Sequence, residues 1–270
     1  MWLCKKMIKP RRKDDRKGIF VVVDGLDGIG KDEVTRALIS YEQKLGRAVF
    51  DVIAFSIANR KGLPELKDFW NPPYTYYDTI INAEPAYCGI GQIIRDEIIS
   101  KNSRPYPTIS EIEAYSLDRL VNMTKIVIPS IVNGINVLQS RCLASTLNYQ
   151  ALKCKNQGKD FELIRKRILS YEGNKLQMAW APDLLIIPTI KDMKELERRL
   201  IVRAESGKDD NSIHDNIKFQ SKLKPLYEDA WLKNLFESIG TKVEYLDAGI
   251  SEQETRLQAV KIYKNFLETR

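Results

Sequence analysis

Gly25, Gly28 and Gly30 fall close together, and Lys31 follows at once, in the order Gly25-Leu26-Asp27-Gly28-Ile29-Gly30-Lys31-Asp32-Glu33. Glycine, four residues, glycine and lysine is a spacing that lets backbone N–H groups close round an anion, with the lysine as a point charge beside it. Such a string arises by chance in long chains, so its flanks decide its meaning. Ile19 to Val23 is an unbroken apolar run that reads as a strand buried on both faces. Beyond the lysine, Val34, Ala37, Leu38, Tyr41 and Leu45 recur at helical spacing, and Gly46 ends the pattern. Strand, glycine loop and helix N-terminus together form a phosphate cradle, the helix dipole adding to the loop amides. One position departs from it. The residue after the lysine should be a hydroxyl that ligates Mg2+, and Asp32 stands there.

Phosphoryl transfer also needs cations to hold donor and acceptor phosphates and to absorb charge in the transition state. Arg95, Arg119 and Arg141 lie outside charge runs, near the ends of predicted elements. Each alone is more often a surface residue or an ion-pair partner; as a set they fit the cradle. Ser140-Arg141 closes a second apolar run, Ile135 to Leu138, at the strand end where open α/β sheets keep their ligand crevice. Tyr149 and the Tyr74–Tyr77 cluster could stack on a base, although aromatics at such spacing are more often core. His214 is the sole histidine, in a polar stretch, which disfavours histidine-dependent hydrolysis and zinc chemistry. Cys4, Cys88, Cys142 and Cys154 lie far apart without metal-ligand spacing and read as reduced thiols of a cytoplasmic chain.

The chain has 270 residues, 43% of them apolar, and a net charge of +7. That suits one large α/β domain or two small ones. Eight Lys/Arg against two Asp precede Gly18, so residues 1–17 form a basic extension that carries nearly all of the net charge. It reads as a solvated tail; an arm for nucleic acid is the sharper and disfavoured reading. No apolar run reaches the roughly 20 residues of a membrane span. Further strands are expected at Ala48–Phe55, Leu184–Ile187 and Lys242–Leu246, with helices between them. Ser110 with Glu113 three residues on predicts a capped helix to Ile128, checked by Pro129. One long helix is expected over His214–Ser238, and the proline- and tyrosine-rich stretch 56–78 reads as an insertion. The expected architecture is α/β: five parallel strands with helices on both faces and a short lid.

In this order the motifs resemble those of the thymidylate kinase family, within the P-loop nucleoside-monophosphate kinases. The resemblance runs from Gly18 to Leu267, as one domain over 18–270 with the 56–78 stretch outside the match. It rests on the glycine loop with Asp27; on Glu84-Pro85, Gly91 and Arg95; on Leu117-Asp118-Arg119; on Ser140-Arg141 with Ser145-Thr146 and Tyr149-Gln150; and on Ala181-Pro182-Asp183. It implies ATP as donor, Mg2+, and a deoxynucleoside monophosphate, dTMP, as acceptor, and it allows a homodimer. By resemblance, Gly25, Gly28, Ile29, Gly30, Lys31, Asp32, Glu33 and Lys208 surround ATP, and Lys31, Arg141 and Arg203 serve catalysis. Asp27, Glu84, Arg95, Arg119, Thr146, Tyr149 and Gln150 belong to the acceptor. Glycine at 28, where some relatives place an arginine, puts weight on the lid cations Arg199, Arg203 and Lys208. The departures are Asp32, Ala83 for the arginine before Glu84-Pro85, Ala86-Tyr87 for a glycine pair, and Ser140 for an aspartate. Asp32 and Ser140 together suggest an exchanged Mg2+ shell, with the carboxylate moved from one position to the other. A catalytically weakened nucleotide-binding paralogue is the alternative that these departures leave open.

Overall fold

The structure is a computed structural model that describes residues 16–59, 62–205 and 216–270. The cradle lies between β1 (Phe20–Val23), whose four residues are all buried, and α1 (Lys31–Lys44). In chain order there follow β2 (Val49–Asp51), α2 (Val52–Ala58), α3 (Leu66–Phe69), β3 (Trp70–Asn71), β4 (Thr75–Tyr76) and β5 (Thr79–Ala83). Then come α4 (Gly89–Ile93), α5 (Thr108–Asn122), α6 (Ile128–Val132), β6 (Asn136–Ser140), α7 (Leu143–Asn156), α8 (Phe161–Ser170) and α9 (Glu172–Ala179). The chain closes with β7 (Leu184–Thr189), α10 (Met193–Glu205), α11 (Ile217–Tyr227), α12 (Ala230–Glu237), β8 (Lys242–Asp247) and α13 (Glu252–Glu268).

The main sheet has six strands in the order β2-β5-β6-β1-β7-β8, each pair parallel. Helices cover both faces, with α1 and α13 packed on each other and α5 packed on α7 and α9. The sheet is α/β as expected, but the strand count is corrected from five to six. The missed strand is β5. Its sequence, Thr-Ile-Ile-Asn-Ala, lacks an apolar run because Thr79 and Asn82 are buried through hydrogen bonds. Thr79 Oγ1 donates to Glu42, while Asn82 Nδ2 donates to Asn122 (3.0 Å) and Gln139 (2.9 Å). β2 is shorter than expected because Asp51 accepts the Ala54 N–H (2.8 Å) and starts a helix where the apolar run continues.

Three helix expectations also change. The helix expected from Ser110 begins at Thr108 after Pro107, and Ser110 lies inside it; Glu113 accepts the Tyr171 hydroxyl (3.1 Å) instead of closing a capping box. A π turn, Met123–Val127, resets the ladder, so Pro129 falls in the first turn of α6 and does not end the helical path. The single helix expected over 214–238 is two helices, because Asp229 caps α12 by accepting the Trp231 N–H (3.1 Å). His214 lies outside the described residues. The 56–78 stretch is pinned to the sheet edge: Phe50 stacks against Phe55, Phe69 and Tyr77 with centroids 5.2–5.8 Å apart, and Phe69 is fully buried. No described helix is long and apolar enough to cross a membrane.

Register brings the site together. Val23 on β1 and Ala83 on β5 both pair with Ser140 on β6. The next residues, Asp24, Glu84 and Arg141, therefore emerge side by side at the carboxyl edge. Behind that edge, α9 lies against α5 so closely that a Cβ on Gly173 would stand 1.8 Å from the Ser116 carbonyl oxygen. Gly173→Ala is expected to lower unfolding stability by about 3 kcal/mol, as overpacking against fixed backbone does, with urea denaturation as the measurement.

Candidate active site

The loop after β1 ends on Gly30, whose φ of 98° makes it a left-handed N-cap for α1. Lys31 folds back into the loop, its Nζ donating to the carbonyl oxygens of Leu26 (2.6 Å) and Gly25 (3.3 Å) and lying 3.9 Å from Asp27. Burial pulls the Lys31 pKa from 10.5 down to about 8, Arg141 adds to the shift, and Asp27 and Asp24 oppose it. A lysine so desolvated is poised for a phosphate. Gly28, at φ 71°, lies under α10: a Cβ there would meet Leu200 Cδ2 at 2.8 Å. The helix that carries Arg199 and Arg203 thus packs directly on the loop, and the space an arginine at position 28 would need is filled.

Asp24 is the hub beneath. Fully buried, it accepts Gly25 N–H (2.7 Å), Ser145 Oγ–H (2.7 Å) and Tyr227 O–H (3.0 Å) on one oxygen. Its other oxygen accepts Cys142 N–H (2.9 Å) and Ser145 N–H (3.0 Å). These bonds hold the turn after β6, in which Arg141 has φ 66°, the one positive value at a non-glycine among the described residues. Such a conformation costs on the order of 1–3 kcal/mol and persists only where its surroundings enforce it. It aims Arg141 at the loop: the guanidinium pairs with Asp27 and donates to Ser145 Oγ (3.0 Å). Burial works against that charge, and Asp27, Tyr149, Tyr227 and Asp24 together more than restore it. Asp27 also accepts Tyr149 O–H (3.0 Å) and Gln220 Nε2–H (3.0 Å), while its own N–H donates to Gln220 Oε1 (3.1 Å).

A second cluster sits beside it. Glu84 accepts Arg119 Nε–H (2.9 Å) and Gln177 Nε2–H (3.0 Å), and burial pushes its pKa up to about 7 with Arg119 opposing. Arg119 is 1% exposed and also donates to Asn174 and Thr146 (3.2 Å). The arrangement can hold a chain of phosphates over the loop and a second anion near Arg95, with cations between them.

Two comparisons with known proteins agree. The chain is similar to the thymidylate kinase of a Sulfurihydrogenibium strain, 26% identical over 184 residues, which is 68% of this chain and 74% of that one. It is similar to the thymidylate kinase of Mycoplasma capricolum, 22% identical over 90% of this chain and 93% of that one. Solved thymidylate kinases from Candida albicans (TM-score 0.60, 16% identity, 92% of each chain) and Ehrlichia chaffeensis (TM-score 0.56, 16% identity, 92% and 98%) share the fold. Over most of its length the chain is thus similar to thymidylate kinases in sequence, and it shares their fold. No family model matches it.

In this chain Lys31, Arg141, Asp27, Tyr149 and the loop glycines converge. Ile29 is fully buried beneath the loop. Glu33 turns away to Arg36 and to Arg256 of α13 (2.7 Å). Thr146 accepts from Arg119, and Gln150 is buried on the same helix. Arg203 lies in the last turn of α10. Lys208 lies outside the described residues. Asp32 is exposed in the first turn of α1, and Ser140 ends β6. Among the described residues no group of three or more His, Cys, Asp or Glu could hold a metal ion. A carboxylate and a hydroxyl still suit Mg2+, a hard ion that takes oxygen ligands and keeps several waters.

Sequence reasoning missed Asp24, Gln177, Gln220, Tyr227 and Tyr115. Asp24 had a signal, a carboxylate ending an apolar strand directly before the cradle. Gln220 and Tyr227 share a helix face, seven residues apart. Tyr115 is half-buried and its hydroxyl is pushed up by burial, within the fields of Arg141, Arg95, Glu111 and Asp27.

Because folding depresses the Lys31 pKa, its contribution to stability is complete above pH 10.5 and lost as pH falls through 8. Between pH 8 and 10.5 the unaltered chain is expected to gain roughly 3 kcal/mol of unfolding stability relative to Lys31→Met, read by denaturant titration across that range.

Proposed function

We propose that this chain moves the γ-phosphoryl group of ATP to dTMP, giving ADP and dTDP. The observation that carries the reading is the left-handed Arg141, whose guanidinium is paired to Asp27 and stands within the phosphate loop's own hydrogen-bond network. The family's name for its relatives supports dTMP as acceptor, and supports a kinase over a weakened paralogue.

In this reading the loop amides from Gly25 to Lys31 cradle the ATP phosphates, and the Lys31 ammonium leaves the Leu26 and Gly25 carbonyls to meet them. Arg141 spans donor and acceptor, where charge builds on the transferring oxygens. Arg203 and Lys208 add lid charge from α10 and the segment after it. Arg95 holds the acceptor phosphate. Arg119 keeps Glu84 and Thr146 in place behind it, and Asp27, Tyr149 and Gln150 shape the sugar and base side. Asp32 and Ser140 would hold Mg2+, which neutralises charge on the donor phosphates when bound. Catalysis is then positioning and preorganised charge, with no covalent intermediate on the protein.

A coupled assay with ATP, Mg2+ and a panel of nucleoside monophosphates tests this. Turnover is expected with dTMP ahead of the other acceptors; ATP binding without turnover of any monophosphate overturns it. Asp32→Ala is expected to abolish most Mg2+-dependent turnover while ATP affinity stays within about threefold, since the loop amides and Lys31 supply the binding. Unchanged turnover would sink the exchanged shell.

A further inference from the structure

Arg95 is held in an unusual way. Its Nε donates to the carbonyl oxygens of Pro85 (3.2 Å) and Ala86 (3.3 Å), and its Nη2 donates to Pro85 O (2.5 Å). One face of the guanidinium lies on the Tyr87 ring, 3.8 Å from its centroid. Arg95 is half-buried and makes no ion pair among the described residues. Its Nη1 takes no part in those bonds, so two N–H donors and a full charge are left for an anion.

The plate stands on a firm base. A Cβ on Gly91 would meet the Ala86 nitrogen and oxygen at 2.3 Å, so α4, which runs on into the π turn Ile94–Ile98 that carries Arg95, touches the turn carrying Tyr87 backbone to backbone. Asp118 fixes the same turn by accepting the Ala86 N–H (3.0 Å). Ala83, buried beside this turn, brings no charge, and Arg119 spends its donors on Glu84, Asn174 and Thr146. The acceptor side therefore has one guanidinium with donors to spare, oriented along one edge by the Pro85 and Ala86 carbonyls and across one face by an aromatic ring.

We propose that Tyr87 is a positioning residue: its ring fixes Arg95 in a single orientation, so that one guanidinium holds the acceptor's phosphate where a second cation is missing. This rests on the kinase reading above. Without the ring, Arg95 gains rotamers that must be frozen on binding and loses its cation–π contact, which weakens acceptor binding without touching the donor side.

The test is dTMP binding by calorimetry together with steady-state kinetics on the full chain, for the unaltered protein, Tyr87→Leu, Tyr87→Phe, Arg95→Lys and the Tyr87→Leu/Arg95→Lys pair. Tyr87→Leu is expected to raise Kd and KM for dTMP about threefold to tenfold, with KM for ATP and kcat within about twofold. Tyr87→Phe keeps the stacking face and restores dTMP affinity. In the Arg95→Lys background the leucine substitution costs less than it does alone. A Tyr87→Leu protein that binds dTMP as well as the unaltered chain overturns the inference, as does a Tyr87→Phe protein as weak as Tyr87→Leu. So does a parallel rise in both KM values, the mark of a merely structural role. If the unaltered chain binds dTMP without phosphorylating it, the kinase reading falls and calorimetry alone judges Tyr87. If it does not bind dTMP, both fall.

Discussion

The carboxylate of Asp24 has no access to water, and five hydrogen-bond donors from three parts of the chain converge on it. A buried charge is stable only when its lone pairs are met, so these contacts depend on one another. Gly25 starts the phosphate loop, Cys142 and Ser145 start α7, and Tyr227 ends α11. With the carboxylate in place the loop is closed from beneath, the turn at Arg141 is held in its left-handed form, and α11 is drawn against the sheet edge. From that position Gln220 reaches Asp27. Removing the charge would leave donors unmet at three elements at once.

The site above it is a balance of buried ions. Lys31 and Arg141 face Asp27, and Arg119 faces Glu84. Pairs of this kind add little net stability, because desolvation offsets most of their attraction. What they add here is direction. Lys31 has a depressed pKa and Glu84 a raised one, which is the signature of groups kept from water at a cost in stability. A highly charged ligand entering such a site meets dipoles and cations already in place, with little to reorganise.

The departures from the family's motifs also find physical partners. Glycine at 28 accommodates Leu200 and Leu196 of α10, so that helix rests on the loop. Tyr87, in place of a glycine, lies under Arg95. Asp32 and Ser140 lie at the helix start and the strand end that border the loop. At 28 and 87 the replacement changes which neighbour packs against the site.

By itself the sequence determined the cradle and most of the sheet. A buried strand, glycines at a set spacing and an apolar helix stripe are local patterns, and local patterns survive without a tertiary context. It could not reveal β5, whose Thr79 and Asn82 are polar in isolation and are buried only because Glu42, Asn122 and Gln139 arrive from elsewhere. Nor could it reveal where helices start, since Asp51 and Asp229 outcompete longer apolar patterns by accepting a single N–H each. The tertiary structure alone decided which partners each arginine meets. Arg95, Arg119 and Arg141 look alike in sequence. Burial turns Arg119 inward to Glu84, the Asp24 hub turns Arg141 onto the loop, and the Tyr87 ring leaves Arg95 facing outward. The reason is that a guanidinium's role depends on which of its donors are already spent, and that is settled by neighbours far away in the chain.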